Sequence, residues 1–315
     1  MRRCTKYSPH SQLQRFSLFQ SRGTPRGSNH KRPQLVVWPK KCSPLQPLKA
    51  QRNTRLKQSP PTRLQPRLTK PLLQSIPSRE VPNLADDCIV LRAWDWSETS
   101  QTTSLFCRNH GMLRGIAKGA RRERGRFSGG FDLLTRGQIV AVVKPDRDLQ
   151  TLTEWTLQRV FRRLHSELYP NLAALYMADV LHRMLPPTEP HPVLFDALHS
   201  ALAAMDGGEW HEAELLRFQC VFLRTTGHEP LLESDDVDPH RLAFAAHDGC
   251  LVDYAASRTA WRVRPTTIHA LQLAFAGEPI DALEPDSVIR GNRLLCAYVR
   301  ELLGEDLCTR RLLIA

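Results

Sequence analysis

Five short runs of apolar and β-branched residues lie within about seventy residues of this chain, and this spacing limits the possible folds more than any other feature. The runs cover 88–96, 102–108, 112–120, 131–144 and 149–157. Turn-forming residues separate them, and the fourth run contains an Arg136-Gly137 step at which a strand can bend. Short strands with glycine at the corners predict a small closed or nearly closed barrel. The five-stranded oligonucleotide/oligosaccharide-binding (OB) barrel is the matching fold.

The apolar pattern changes to a helical period after Leu157. Predicted helices cover 160–169, 171–185, 193–205, 212–227, 266–277 and 287–304. Residues 228–264 are irregular and acidic. We therefore predict an α+β chain, with a five-stranded OB barrel over residues 81–157 and an all-α C-terminal domain over residues 158–315.

Residues 1–80 differ in composition from the rest of the chain. They contain 18 of the 44 Lys and Arg residues, 11 of the 23 prolines and a single acid, Glu80. The remainder has 26 basic and 31 acidic residues, so the net charge of +12 belongs to the N-terminal quarter. Such a segment cannot bury enough apolar surface to offset its chain entropy, which predicts disorder.

Three interpretations of this basic, proline-rich segment stay open. It is an arm that holds nucleic acid non-specifically, an organelle transit peptide, or upstream DNA translated from a start site placed too early. The sharp change in composition near Val81 favours the third interpretation. A start at that point would need an alternative start codon, because no Met occurs between Met1 and Met112.

Two absences in the sequence concern the cellular setting. No apolar run approaches the length of about 18 residues that a membrane span needs, so we expect no membrane partner. The eight cysteines form no CxxC pair, and no secretory signal precedes them. Free thiols in a reduced, cytoplasmic protein are the expectation.

Six basic side chains fall within thirteen residues, on the third predicted strand and the glycine-rich loop after it. They are Arg114, Lys118, Arg121, Arg122, Arg124 and Arg126. Like charges repel one another, so the grouping favours a surface that follows a phosphate backbone, with a solvated loop as the alternative. Phe127, Trp94 and Trp96 lie in or near the cluster and could stack on bases, with a place in the core or at the barrel rim as the alternative for each.

The stretch IVLRAWDWSETSQTTSLFCRNHGMLRGIAKGARR at 89–122 resembles the opening of the RecO family of bacterial recombination and repair proteins. The block from S-E-T-S to A-K-G-A-R-R carries most of the specificity. Further similar segments are GGFDLLTRGQ, LQTLTEW, ALYMADVLHRMLP and LLRFQCVFLRTTGHEPLL. The resemblance extends from about Asp87 to the end of the chain.

This resemblance implies an OB barrel, a helical C-terminal domain and a cytoplasmic, nucleoid-associated protein. It implies binding of single- and double-stranded DNA and annealing of complementary strands. The implied protein partners are RecR, the C-terminal tail of the single-strand-binding protein SSB and, indirectly, the strand-exchange protein RecA. Contact with DNA is carried over to Arg92 and the six cations at 114–126, and Phe127 stays a stacking candidate beside them.

Metal binding is the point at which the sequence departs from this family. Many relatives carry four zinc-binding cysteines in the irregular stretch after the fourth predicted helix. This chain has Ser234 and Val237 near the first pair of those positions, and only Cys250 remains nearby. The spacing of His240 and the neighbouring ligand types matches no usual zinc site, so we predict no metal and no cofactor.

No enzyme motif is present: neither GxxxxGK[ST], GxGxxG after a strand, GxSxG nor HExxH occurs. The expectation is a non-enzymatic recombination mediator. One alternative is a non-catalytic scaffold whose helical domain recruits partners. The other is a metal-dependent nuclease built on Asp235, Asp236 and Asp238, although an acidic solvated turn is the simpler interpretation of that loop.

Overall fold

The computed structural model describes residues 83–122, 125–127, 129–233 and 237–314. The disorder predicted for residues 1–80 therefore concerns a segment outside the described residues. Five strands come first: β1 (Asn83–Asp95), β2 (Gln101–Cys107), β3 (Gly111–Ala117), β4 (Thr135–Val142) and β5 (Gln150–Val160). They form a closed barrel in the order β1-β2-β3-β5-β4, with β3 and β5 parallel and the other pairs antiparallel. The predicted OB barrel is confirmed.

Strand β1 begins five residues before the predicted run, because polar residues occupy its first part. Asp86 is buried there and accepts hydrogen bonds from the backbone N–H of Asn109 at 2.8 Å and from His110 Nδ1 at 2.8 Å. A buried carboxylate is tolerated where hydrogen bonds replace its hydration. The start of β1 is thereby fixed to the β2–β3 turn.

The interior of the barrel is filled by apolar side chains from all five strands. Trp155 is almost fully buried and packs on Phe131 with ring centroids 5.0 Å apart. Gly137 leaves the room that this indole needs, since a Cβ at that position would lie 2.7 Å from Trp155. The β4–β5 register shifts between Arg136 and Gly137, at the predicted bend.

Helices dominate the second half of the described chain, as predicted. They are α1 (Arg162–Ser166), α2 (Leu168–Met184), α3 (Pro192–Gly207), α4 (His211–Thr225), α5 (Pro265–Ala276), α6 (Pro285–Leu303) and α7 (Cys308–Leu313). The first predicted helix is shorter than expected, because β5 continues to Val160 and α2 already begins at Leu168. Helix α7 is absent from the sequence prediction, since six residues are too few to show a helical period.

The expectation that this half is entirely helical needs one correction. Part of the irregular stretch 228–264 forms a three-stranded sheet. Its strands are β6 (Leu242–Ala245), β7 (Cys250–Asp253) and β8 (Trp261–Arg262). Its central strand β6 carries the buried Phe244, whose ring meets Tyr298 of α6 edge-on at 5.4 Å. Strands of two to four residues are too short for an alternating pattern to identify them.

The barrel packs against helices α2 and α3 through apolar and polar contacts. Phe106 on the outside of β2 packs against Phe195 of α3 at 5.7 Å. At the barrel's edge Arg108 donates two hydrogen bonds to Asp196, at 2.7 and 2.9 Å. The outer face of β1 and β2 is thus covered along part of its length, and this decides which barrel surface stays open.

Candidate nucleic-acid interface

A β-bulge in β1 determines which of its side chains face outward. Val90 lies opposite Leu105 on β2, whereas Arg92 lies opposite Ser104, so Leu91 is the extra residue. An inserted residue reverses the inside–outside alternation of a strand. Cys88 and Val90 therefore point into the barrel, while Arg92 and Trp94 point outward.

The predicted DNA contact of Arg92 is not supported by its surroundings. Its side chain is 11% exposed and forms an ion pair with Asp179 of α2, a carboxylate that also accepts a hydrogen bond from Thr309 Oγ1 at 3.0 Å. A guanidinium held by a buried carboxylate is not available to a phosphate. Arg92 instead joins β1 to the helical half of the chain.

Helix α2 ends over the same outer row of the barrel. His182 in its last turn lies 3.1 Å from Ser104 Oγ, and its ring is 6.3 Å from that of Trp94. Burial, assisted by the positive charges of Arg92 and of the basic side chains Arg183 and Arg114, lowers the pKa of His182 to about 3. The imidazole is therefore neutral at physiological pH, and the positive charge of this region resides on the arginines.

The barrel surface opens into a cavity of about 310 Å³. It lies between the β1–β2 turn and the loop after β3. The lining residues are Trp96, Ser97, Thr99, Ser100, Ile116, Lys118, Gly119 and Arg122. This surface, called the rim cavity below, brings together an exposed aromatic ring, two cations and several hydroxyl groups.

Trp96 is the aromatic side chain of the rim cavity, and it is 65% exposed. The turn behind it is tight, since the backbone N–H of Trp96 donates to the carbonyl of Ser100 at 2.9 Å. The ring is therefore presented to solvent by an ordered backbone. An exposed indole on a rigid turn has the geometry of a base-stacking platform.

The two cations of the rim cavity are held by the backbone of the loop after β3. Gly119 has φ of +74°, which turns the chain so that the N–H of Arg122 donates to its carbonyl at 3.2 Å. The N–H of Arg121 donates to the carbonyl of Thr99 at 3.1 Å, which ties this loop to the β1–β2 turn. Lys118 and Arg122 are exposed on either side of this glycine.

The other predicted cations lie around the rim cavity without lining it. Arg114 is exposed on β3, and Arg121 pairs with Asp95 at 2.5 Å. Arg126 is exposed, and its carbonyl accepts from the N–H of Trp155 at 2.8 Å. Arg124 lies outside the described residues.

The predicted stacking role of Phe127 is wrong in this structure. Its ring is 5% exposed and packs against Phe131 at 5.9 Å in the barrel core. Trp96, which lies outside the basic cluster in sequence, is the aromatic ring that lines the rim cavity instead. The sequence indicates the exposure of Trp96 through its position directly before the S-E-T-S turn, because a bulky side chain at a strand end has few core neighbours.

The structure brings no set of metal-binding groups together among the residues that it describes. Nowhere in those ranges do three His, Cys, Asp or Glu side chains come close enough to hold an ion. Asp238 of the acidic loop instead caps a short 3-10 turn by accepting from the N–H of His240 at 2.8 Å. Asp235 and Asp236 of the same loop lie outside the described residues.

None of the described helices combines the length and apolar character of a membrane span.

Comparison with known proteins identifies both halves of the chain. Residues 82–161 match the family model described as Recombination protein O N terminal, and residues 165–311 match Recombination protein O C terminal. Several curated relatives are named DNA repair protein RecO. That of Rhodopirellula baltica is 41% identical over 143 residues, which are 45% of this chain and 53% of the relative.

Two further relatives of the same name extend the coverage. That of Anaeromyxobacter dehalogenans is 28% identical over 237 residues, 71% of this chain and 93% of the relative. That of Salinibacter ruber is 33% identical over 151 residues, 48% of this chain and 58% of the relative. The chain thus spans about half the length of two of these relatives and nearly all of the third. With a closed OB barrel followed by a helical domain, and with both family models matched in order, the chain belongs to the RecO family.

Proposed function

We propose that this protein acts in DNA repair and homologous recombination by binding DNA at the rim cavity and promoting the pairing of complementary strands. The observation that carries the proposal is the position of Trp96, Lys118 and Arg122 around one open cavity. Cations attract the phosphate backbone at any sequence, and an aromatic face stacks on any base. This combination suits a protein that must bind DNA without reading its sequence.

Annealing needs no covalent chemistry. Two strands repel each other through their phosphates, so neutralising that charge lowers the barrier to their approach. A shallow, open surface leaves the Watson–Crick edges of the bound bases accessible to a second strand. We therefore propose a non-enzymatic mediator that consumes no cofactor and binds both single- and double-stranded DNA.

The proposed protein partners are RecR, the C-terminal tail of SSB and, indirectly, RecA. Membership of the RecO family supports them. In this proposal the protein displaces SSB from gapped DNA together with RecR, so that RecA can assemble. Annealing of SSB-coated complementary oligonucleotides, with and without RecR, measures this activity directly.

The rim cavity is tested by two variants that remove different interactions. Trp96→Ala should weaken binding to single strands by about 1–3 kcal/mol and leave the salt dependence unchanged, because a stacked ring releases no counterions. The double change Lys118→Ala and Arg122→Ala should weaken binding to all sequences alike. It should also lower the slope of log K against log salt by about 0.7 for each phosphate that the protein no longer neutralises. Fluorescence anisotropy of a labelled oligonucleotide across a salt series measures both.

The matched control is Arg258→Ala, which removes an exposed cation from the turn after β7. All variants begin at residue 81, because the 18 cations of residues 1–80 can bind DNA by themselves and mask the effect of the substitutions. If net charge alone matters, the double variant, which removes two cations, should lose about twice as much binding free energy as the control, which removes one. A loss no greater than that would refute the rim cavity as a site.

A scaffold role is the second candidate, and one surface of the helical half favours it. Leu168 and Tyr169 at the start of α2 are both more than half exposed, and the Tyr169 ring stacks on His211 at 5.8 Å. Exposed apolar groups of this kind are common at protein interfaces. Leu168→Ser combined with Tyr169→Ser should abolish partner capture and leave DNA affinity unchanged if the scaffold role is correct.

A further inference from the structure

Two cysteines face each other inside the barrel, on neighbouring strands. Cys88 of β1 lies directly opposite Cys107 of β2, and both side chains are completely buried in the barrel core. The mediator function proposed above uses neither of them.

The backbone hydrogen bonds show which kind of antiparallel pair these residues form. In such a ladder, hydrogen-bonded pairs alternate with non-hydrogen-bonded pairs. The N–H of Arg108 donates to the carbonyl of Asp87 at 2.9 Å, so the Asp87–Arg108 position is hydrogen-bonded and the next pair inward, Cys88–Cys107, is not. The carbonyl of Val90, two residues further on, accepts from the N–H of Leu134 at 2.9 Å, which agrees with this alternation.

The spacing of a non-hydrogen-bonded pair suits a disulfide. Its Cα atoms are about 4.5 Å apart, which is closer than in a hydrogen-bonded pair. Disulfides are found with Cα separations of about 4.4–6.8 Å. Both thiols already point to the same side of the strands, so bond formation requires rotation of two side chains and little backbone movement.

We propose that Cys88 and Cys107 form an oxidation site, at which a small-molecule disulfide converts the thiol pair into a cross-strand disulfide within the folded barrel. One protein thiolate attacks the oxidant and releases one small thiol, leaving a mixed disulfide. The second protein thiolate attacks the protein sulfur of that mixed disulfide and releases the second small thiol. The protein loses two electrons and two protons, and the oxidant takes up both as two thiols.

Burial makes this oxidation slow in the closed barrel. Desolvation, assisted by the neighbouring Cys107, raises the pKa of Cys88 well above its usual value, so its reactive thiolate is scarce. The oxidant must reach the pair through transient separation of β1 from β2 within the closed barrel. Once formed, the bond is shielded from reductants by the same packing.

The disulfide would close the open end of the β1–β2 hairpin. The loop between the two cysteines includes the turn that presents Trp96, so the bond constrains that whole hairpin in the unfolded chain. Cross-links that restrict the unfolded ensemble stabilise the folded state. The oxidised barrel should therefore stay folded, and keep the rim cavity intact, at temperatures at which the reduced barrel unfolds.

The experiment uses the full chain, incubated with excess oxidised glutathione, alkylated and digested with trypsin. A disulfide-linked pair of peptides covering 80–92 and 93–108 is expected by mass spectrometry. The midpoint of thermal unfolding should rise by roughly 5–10 °C in the oxidised protein and return to its original value after reduction.

Two variants separate this site from other thiols. Cys107→Ala should abolish the rise in the unfolding midpoint, whereas Cys220→Ala, a buried cysteine in α4, should keep it. The peptide map of the unaltered chain needs no variant and decides the matter if Cys107→Ala fails to fold. Absence of the linked pair while the exposed Cys308 is modified by glutathione would overturn the proposal, as would a linked pair with an unchanged or lowered midpoint.

Discussion

At the scale of single residues, environment decides what an aromatic side chain does. Phe127 and Trp96 are both close to the basic cluster, yet Phe127 fills the barrel core and Trp96 is exposed beside Lys118. Judged by residue type alone, Phe127 and Trp96 are equally good candidates for stacking on a base. The difference arises because the loop after β3 folds back over the barrel end and carries Phe127 inward against Phe131.

His182 gives the residue-scale prediction, because its pKa is lowered to about 3 in the folded protein. The unfolded chain has the ordinary histidine value of about 6.5 and therefore binds a proton in the range between the two values, where the folded state does not. Stability from this group is complete above pH 6.5 and is lost as pH falls below it, by about 1.4 kcal/mol per pH unit.

The change His182→Gln should therefore make the free energy of unfolding less dependent on pH between about 6.5 and 4. Urea denaturation of both proteins at pH 7, 6, 5 and 4 gives the two slopes, and their difference isolates His182 from the other histidines. Identical slopes would contradict a neutral, buried imidazole at this position.

At the scale of elements, the bulge at Leu91 is the feature that organises the barrel surface. It places Cys88 inside and Arg92 outside, and it thereby directs Arg92 to α2. The predicted strand runs are correct as elements, but a bulge follows from how β1 fits both β2 and β4. Sequence alternation alone cannot show where it falls, because Val90, Leu91 and Ala93 are all apolar.

The pairing of Arg92 with Asp179 gives the element-scale prediction. Both side chains are nearly buried, so Asp179→Ala removes the carboxylate that pairs with the Arg92 guanidinium between barrel and helix and should cost about 3–5 kcal/mol of unfolding free energy. The matched control is Asp196→Ala, which removes the exposed partner of Arg108 and should cost about 1 kcal/mol or less. Urea denaturation measures both changes in stability, and comparable values would show that Arg92 is not buried as described.

At the scale of the whole molecule, charge is distributed unevenly along the chain. The first 80 residues carry 18 basic groups and one acid, whereas the remainder has more acids than bases. The rim cavity is thus a local cationic surface on residues 81–315, which together carry a slightly negative charge. The proposed binding of DNA by residues 81–315 would depend on where the cations lie and not on net charge.

The whole-molecule prediction concerns this difference in charge between residues 1–80 and the rest of the chain. A chain that begins at residue 81 should bind oligonucleotides more weakly at low salt and show a smaller salt slope, by about 0.7 for each single-strand phosphate that residues 1–80 neutralise. The remaining affinity should still depend on Trp96. A salt slope equal to that of the full chain would show that residues 1–80 bind no phosphates, and disappearance of all binding would contradict the rim cavity.

Local patterns in the chain were sufficient to predict the five barrel strands, the main helices and the basic cluster, because alternation, helical periodicity and charge runs involve only near neighbours. Long-range packing settled the rest: Arg92 and Phe127 face away from the rim cavity, Trp96 lines it, and Cys88 meets Cys107. Those outcomes depend on a bulge, on strand register and on where α2 ends, and each is fixed by contacts between residues far apart in the chain.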